Sequence, residues 1–385
     1  MQPMNPRILA VPVLAAALTA CLWFIPWTES HVSVGRLTVP ADPGGTAKAL
    51  ETGGKNPSSE NSTAIAGKKP AMNWKRLAAL GNSDNAGAPL PQVTPEDVAR
   101  FLAKRGETAV NLVAAYGATH DRRLLERALE LFPSSPIVLM AAIESIPAGA
   151  APKPGETYQP DAERPAFIER FKAADPNNPL PWIYSAQELF KAGPNAGAIA
   201  DIRAALERPA FYTYSTERMD AAHQIYEDTG MNPTEAGLLA MAGLTLPHMS
   251  AATQISRTLT EWQKSAADSG DTAAANDALR LTYDLGRTFA TPEASRTLIG
   301  QLVGISMEAR ALKALPADAW PDWLAVAPAQ RLADMEAQKQ NVRDLTINVD
   351  WLLQQQDEQL LAEYLRRNRT EGEYSALTWL KAQKK

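Results

Sequence analysis

The chain is short of the residues from which catalytic and metal centres are usually built. Its 385 residues include one cysteine and four histidines. A single cysteine excludes an intramolecular disulfide and any multi-cysteine zinc or iron–sulfur site. The histidines, His31, His120, His223 and His248, fall in no metal-binding spacing such as H-E-x-x-H. There is no G-x-S-x-G nucleophile elbow, no phosphate-binding G-x-x-x-x-G-K-[ST] and no G-x-G-x-x-G after a strand. A basic excess is also missing: 38 Lys and Arg stand against 43 Asp and Glu, a net charge of −5. That balance argues against a nucleic-acid partner. Strand-like alternation is scarce as well. No metal, no cofactor and no catalytic residue is expected.

What is present begins with an address. Ile8–Trp27 is a run of twenty uncharged, mostly apolar residues preceded by Arg7. That length can just cross a hydrocarbon core, and the charge before it orients the rest away from the cytoplasm. Trp23 and Trp27 would sit at the far interface. A second reading is a lipobox: Leu18-Thr19-Ala20-Cys21 resembles the lipidation site of bacterial lipoproteins, with Cys21 as the lipidated residue. Leu22, Trp23, Phe24 and Ile25 depart from the small or polar residues that usually follow such a cysteine. Ordinary signal cleavage is the third reading. All three place the bulk of the chain outside the cytoplasm, in a bacterial periplasm, and the first two hold it at a membrane.

Residues 28–93 read as a flexible linker. Prolines and glycines interrupt residues 40–93, with only Met72–Leu80 suggesting a short helix through Trp74, Leu77 and Ala78. Asn61-Ser62-Thr63 matches a glycosylation sequon. From Thr94 the pattern is helical. Thr94-Pro95-Glu96-Asp97 is an N-cap, a proline at the first helical position and acids in the first turn. Val98, Phe101 and Leu102 follow at i, i+3, i+4 spacing, and Gly106 stops that helix. Further apolar stripes run through Val110, Val113 and Ala114, and through Leu124, Leu125, Ala128 and Leu129. Later helices are expected over Glu217–Asp228, Pro233–Gly243, Ala251–Ser269, Asp271–Phe289 and Pro292–Leu315, with Ser250 and Thr291 as N-caps. The last part, Pro328–Lys385, reads as one longer helix and two shorter ones. Its apolar side carries Trp351, Leu352, Leu361, Leu365, Leu377 and Trp379, and its end is basic through Arg366, Arg367, Arg369, Lys381, Lys384 and Lys385.

An internal repeat is visible. Leu125-Glu126-Arg127 precedes Pro133-Ser134-Ser135-Pro136, and Ile168-Glu169-Arg170 precedes Pro176-Asn177-Asn178-Pro179 at the same spacing. Both fit a helix ending in a Pro-polar-polar-Pro turn. The stretch from Asp175 to Pro209 resembles a tetratricopeptide repeat (TPR). Trp182, Ala186 and Leu189 match its first-helix core, and Ala198, Ile202 and Ala205 match the small and apolar residues of its second helix. Ser185 departs from the usual Leu. A Pro/Gly-rich insertion at 147–160 lengthens the offset beyond the usual period of about 34 residues. The resemblance covers roughly residues 107–210 and implies an all-α array of TPR-like helical hairpins, an α-solenoid.

The organisation expected is therefore a signal anchor or signal peptide at 1–27, a linker at 28–93, a helical-repeat body at 94–315 and a C-terminal capping region at 316–385. By the same resemblance, the first-helix face carrying Ile183, Gln187 and Lys191 at i+4 spacing would line a groove for a protein or peptide partner. The expected function is a membrane-tethered scaffold. The alternatives are an all-α enzyme acting on cell-envelope material and a self-assembling spacer.

Overall fold

The computed structural model describes residues 92–146, 163–193, 195–208, 211–290, 296–316 and 318–384, together with Met72 and Trp74. The N-terminal segment with Cys21, the sequon, most of the linker, the insertion at 147–160, Pro209 and Thr291 lie outside the described residues. The described residues contain helices and no strand, and none of these helices is long and apolar enough to cross a membrane.

The first helix, α1 (Pro95–Arg105), starts where its capping residues dictate. The Thr94 side chain accepts from the Asp97 N–H, and the Asp97 carboxylate accepts from the Thr94 N–H in return. Gly106 ends it at φ 84°, a left-handed-side backbone that side chains resist. Next come α2 (Ala109–Thr119), α3 (Arg122–Leu131) and α4 (Pro136–Ser145). Pro136 sits at the start of α4, so the first Pro-polar-polar-Pro turn is a helix junction. The second turn is another, between α5 (Glu163–Ala174) and α6 (Leu180–Phe190). In α7 (Ala196–Leu206), Ala198, Ile202 and Ala205 are buried, as the repeat pattern requires. Leu189 departs from that pattern and is exposed.

The chain continues through α8 (Ser215–Asp228), α9 (Pro233–Ala242), α10 (Pro247–Asp268), α11 (Thr272–Ala290) and α12 (Leu298–Lys313). Two starts differ from the sequence reading. Helix α10 begins at Pro247 rather than after Ser250, because a proline at the first position forfeits an N–H that has no helical partner. Helix α12 begins after Thr297, whose hydroxyl accepts from the Gly300 N–H. The end of the chain forms α13 (Pro328–Gln355), α14 (Glu358–Glu371) and α15 (Glu373–Gln383), one long helix and two short ones.

Neighbouring helices pair, but the chain is not a single nearest-neighbour stack. Helix α2 leads through α3, α4 and α5 to α6 and α7. Helix α6 then packs on α10, and α7 on α11. The α8–α9 hairpin steps out of that order. Helix α8 packs on α1 and α2, and both α8 and α9 pack on α14. Since α12 meets α13, and α15 meets both α13 and α14, the contacts close into a circuit.

Polar groups on α8 reach three different helices. Arg218 pairs with Glu144 of α4 at 3.0 Å. Asp228 pairs with Lys104 at 2.7 Å and Arg105 at 3.1 Å on α1. Asp220 pairs with Arg369 of α14 at 2.6 Å. Burial opposes ionisation of Asp228, but the hydrogen bonds from Lys104 and Arg105 outweigh it and hold the carboxyl below its ordinary range.

The tightest helix crossing is α11 on α12. A Cβ on Gly286 would lie 2.7 Å from the Glu308 nitrogen and 2.8 Å from the Gly304 oxygen. A Cβ on Gly304 would lie 2.5 Å from the Gly286 oxygen. These contacts are backbone on backbone, so no rotamer change relieves them. Gly304→Ala is expected to cost about 1–3 kcal/mol and lower the urea midpoint of unfolding. Gly117→Ala, where a Cβ meets nothing within 4 Å, serves as the control and should leave the midpoint unchanged or raise it.

Candidate partner-binding site

Helix α6 is buried almost all round. Leu180, Ile183, Tyr184, Ala186, Gln187, Glu188 and Phe190 are all buried. The row expected to line a groove, Ile183, Gln187 and Lys191, is on one face, and that face is occupied by the chain itself. Ile183 belongs to the largest apolar cluster, with Leu139, Phe171, Ile202 and Ile255. The Gln187 amide donates to Gln254 of α10 at 2.7 Å. The Lys191 ammonium donates to both oxygens of Glu188 at 2.7 Å. These three residues tie α6 into its neighbours.

They border a buried polar knot centred on Arg164 of α5. Its guanidinium donates to Glu188 at 2.5 Å, to Gln187 at 3.2 Å, to the Ile146 carbonyl at 2.8 Å and to the Ile143 carbonyl. The last two are carbonyls at the C-terminal end of α4, which lack helical donors. The Tyr184 hydroxyl donates to Glu144 at 3.1 Å, and the Arg164 guanidinium lies over the Tyr184 ring. Burial raises the Tyr184 hydroxyl well above its ordinary range, with the Glu144 charge adding to the effect. Burial also pushes Glu144 up, against the pull of Arg218 and Tyr184, and pushes Lys191 down. The knot cross-braces α4, α5, α6 and α8 with its polar atoms spent on one another.

The histidines are dispersed. His120 caps α2 in a left-handed conformation. His223 is held between the Arg369 guanidinium at 2.9 Å and the Pro233 carbonyl at 3.0 Å. An arginine can only donate, so Nδ1 accepts there and Nε2–H donates to the carbonyl. His248 is buried beside Phe211 and Phe289. Among the described residues, no three His, Cys, Asp or Glu are grouped to hold a metal ion. Four of the basic C-terminal residues, Arg366, Arg367, Arg369 and Lys384, are also engaged. Arg366 and Arg367 pair with Glu363, Arg367 lies over Trp379 and Lys384 over Trp351. Asp357 caps α14.

An open surface feature lies at the other end, under α1. A groove of about 770 Å³ is lined by Val98, Ala99, Leu102 and Ala103 of α1, with Val93 before it and Leu124 of α3 opposite. Its rim is charged: Glu107, Asp121 and Arg123. The hydrogen bonds of Arg123 hold the Asp121 carboxyl below its ordinary range. Arg127 reaches Glu107 at 3.1 Å. This volume suits a short peptide or one helical turn of a partner. Two other cavities, of about 10 and 40 Å³ beside α8, are at most water-sized. The sequence marked Val98, Leu102 and Leu124 as core, and Ala99 and Ala103 gave no signal, because the groove forms only when α3 turns back beneath α1.

Two substitutions test this description. Arg164→Met leaves Glu188 and two helix-end carbonyls short of a donor, and is expected to destabilise the chain by about 3 kcal/mol in urea unfolding. His248 makes stability pH-sensitive just below neutrality. Burial, with the Arg218 charge second, depresses it from 6.5 to about 3. The unfolded chain therefore takes up a proton near pH 6.5 that the folded chain refuses down to about pH 3. Stability is level above that window and falls with pH inside it, by about 2 kcal/mol from this group between pH 7.5 and pH 5. His248→Leu should remove that share of the pH dependence, read as the difference between wild-type and variant unfolding curves.

Comparison with protein-family models, with curated proteins and with solved structures gives no match for this chain.

Proposed function

We propose that this chain is a membrane-tethered, extracytoplasmic scaffold of TPR-like helical hairpins that receives a partner protein in the groove under α1. The observation that carries the reading is the groove itself, an apolar floor with a charged rim at one end of the helical assembly. Such a surface fits an amphipathic helix or short apolar segment, whose apolar side meets Val98, Leu102 and Leu124 while its polar side meets Glu107, Asp121 and Arg123. Ala99 and Ala103 are exposed along α1 and small enough to admit a neighbouring helix closely. Around Arg164 the buried charged groups are committed to one another, which supports a bracing role for that cluster. The tether rests on the apolar run Ile8–Trp27 or on lipidation of Cys21.

The test is crosslinking with mass spectrometry on tagged full-length protein in its native cell, comparing wild type with Ala99→Glu/Ala103→Glu. Both alanines face solvent, and glutamate is a good helix former, so the fold is expected to survive. One other protein should crosslink reproducibly to residues 93–124 in wild type and drop at least tenfold in the variant. An equal yield from both proteins, or crosslinks only between copies of this chain, would overturn the scaffold reading in favour of an enzyme or a spacer.

A further inference from the structure

Two described residues stand apart from the helical array. Met72 and Trp74 come before α1, yet they do not pack on it. Met72 is buried in a cluster built almost wholly from the end of the chain: Val342, Leu345, Val349 and Leu352 of α13, Leu361, Tyr364 and Leu365 of α14, and Ala376, Leu377 and Leu380 of α15. Leu298 and Leu302 of α12 and Leu238 of α9 complete it. Trp74, on helical backbone, packs half-buried against the same cluster. The cluster also carries partly buried Trp351, Leu360, Tyr374 and Trp379, so it presents aromatic and aliphatic side chains to what lies on it.

We propose that the C-terminal three-helix unit α13–α15 is a docking surface for a short Met- and Trp-bearing segment, filled in cis by Met72 and Trp74. Three features of the chain support this. The occupant is seated on the surface. It brings the side chains suited to such a site: an unbranched, polarisable methionine that fills irregular apolar space, and the largest aromatic ring. The connector, residues 75–91, can span at most about 60 Å when extended. A contact through two side chains on a long connector can open without unfolding the helices beneath it. A partner offering an aromatic and aliphatic segment of the same kind would compete with Met72 and Trp74. The inference is independent of the groove under α1 and stands or falls separately.

The experiment uses the full-length protein. Peroxide oxidation of Met72 is followed by mass spectrometry, together with amide hydrogen exchange of peptides covering 342–380 and 98–143. Met72 should oxidise at least several-fold more slowly than in the urea-unfolded chain. Trp74→Ala should raise that rate towards the unfolded one and speed exchange in 342–380, leaving 98–143 unchanged. Trp74→Phe should keep most of the protection. Oxidation of wild-type Met72 at the unfolded rate overturns the proposal, as does a Trp74→Ala protein identical to wild type in both measurements. Protection lost on dilution would also overturn it, because the segment would then be docking on a second copy.

Discussion

Helix α8 is the member on which the closed arrangement depends. A row of hairpins joined only to its neighbours would leave the first and last helices apart. Here one helix packs on α1, α2 and α14 and extends a charge to each of α4, α1 and α14. Removing α8 would open the circuit at two places, between the N-terminal helices and the C-terminal unit. The α9 partner reinforces the second contact through Leu238, which enters the C-terminal cluster.

The interior is stiffened by two different means. At the α11–α12 crossing, Gly286 and Gly304 let two backbones touch, so attraction comes from close packing along the whole interface. Around Arg164, stiffness comes from polar geometry. A guanidinium placed among two helix-end carbonyls, a carboxylate and an amide has few alternative arrangements. Such a knot adds little net stability, because burying its charges is costly, but it penalises any other packing of α4, α5 and α6. The surface is treated differently at the two ends. The N-terminal end leaves a groove with a charged rim, while the C-terminal unit is covered in part by Met72 and Trp74.

Much of the helical layout was legible from local chemistry. Thr94, Gly106 and Pro136 act through the backbone of their own turn, so their caps and stops could be read one residue at a time. The small and apolar residues Ala198, Ile202 and Ala205 were legible because helical periodicity puts them on one face. Periodicity could not say what that face meets. Ile183, Gln187 and Lys191 do share a face, yet α10 and Glu188 occupy it. Arg164, Glu144 and Arg218 carried no signal at all, since their partners lie on other helices. The residues of the candidate groove were invisible for the same reason: Ala99 is unremarkable until α3 lies beneath it.

The amino-acid sequence by itself determined the helical class, the positions of most helix ends and the apolar run at the N-terminus, because capping, proline geometry and hydrophobic periodicity act within a few residues. Only the tertiary structure decided that α8 and α9 leave the row, that α8 links α1 and α2 to α14, and that Met72 and Trp74 lie on the C-terminal unit. Those outcomes depend on which apolar faces fit one another across long separations in the chain, and complementarity of that kind is a property of packed surfaces rather than of any local pattern.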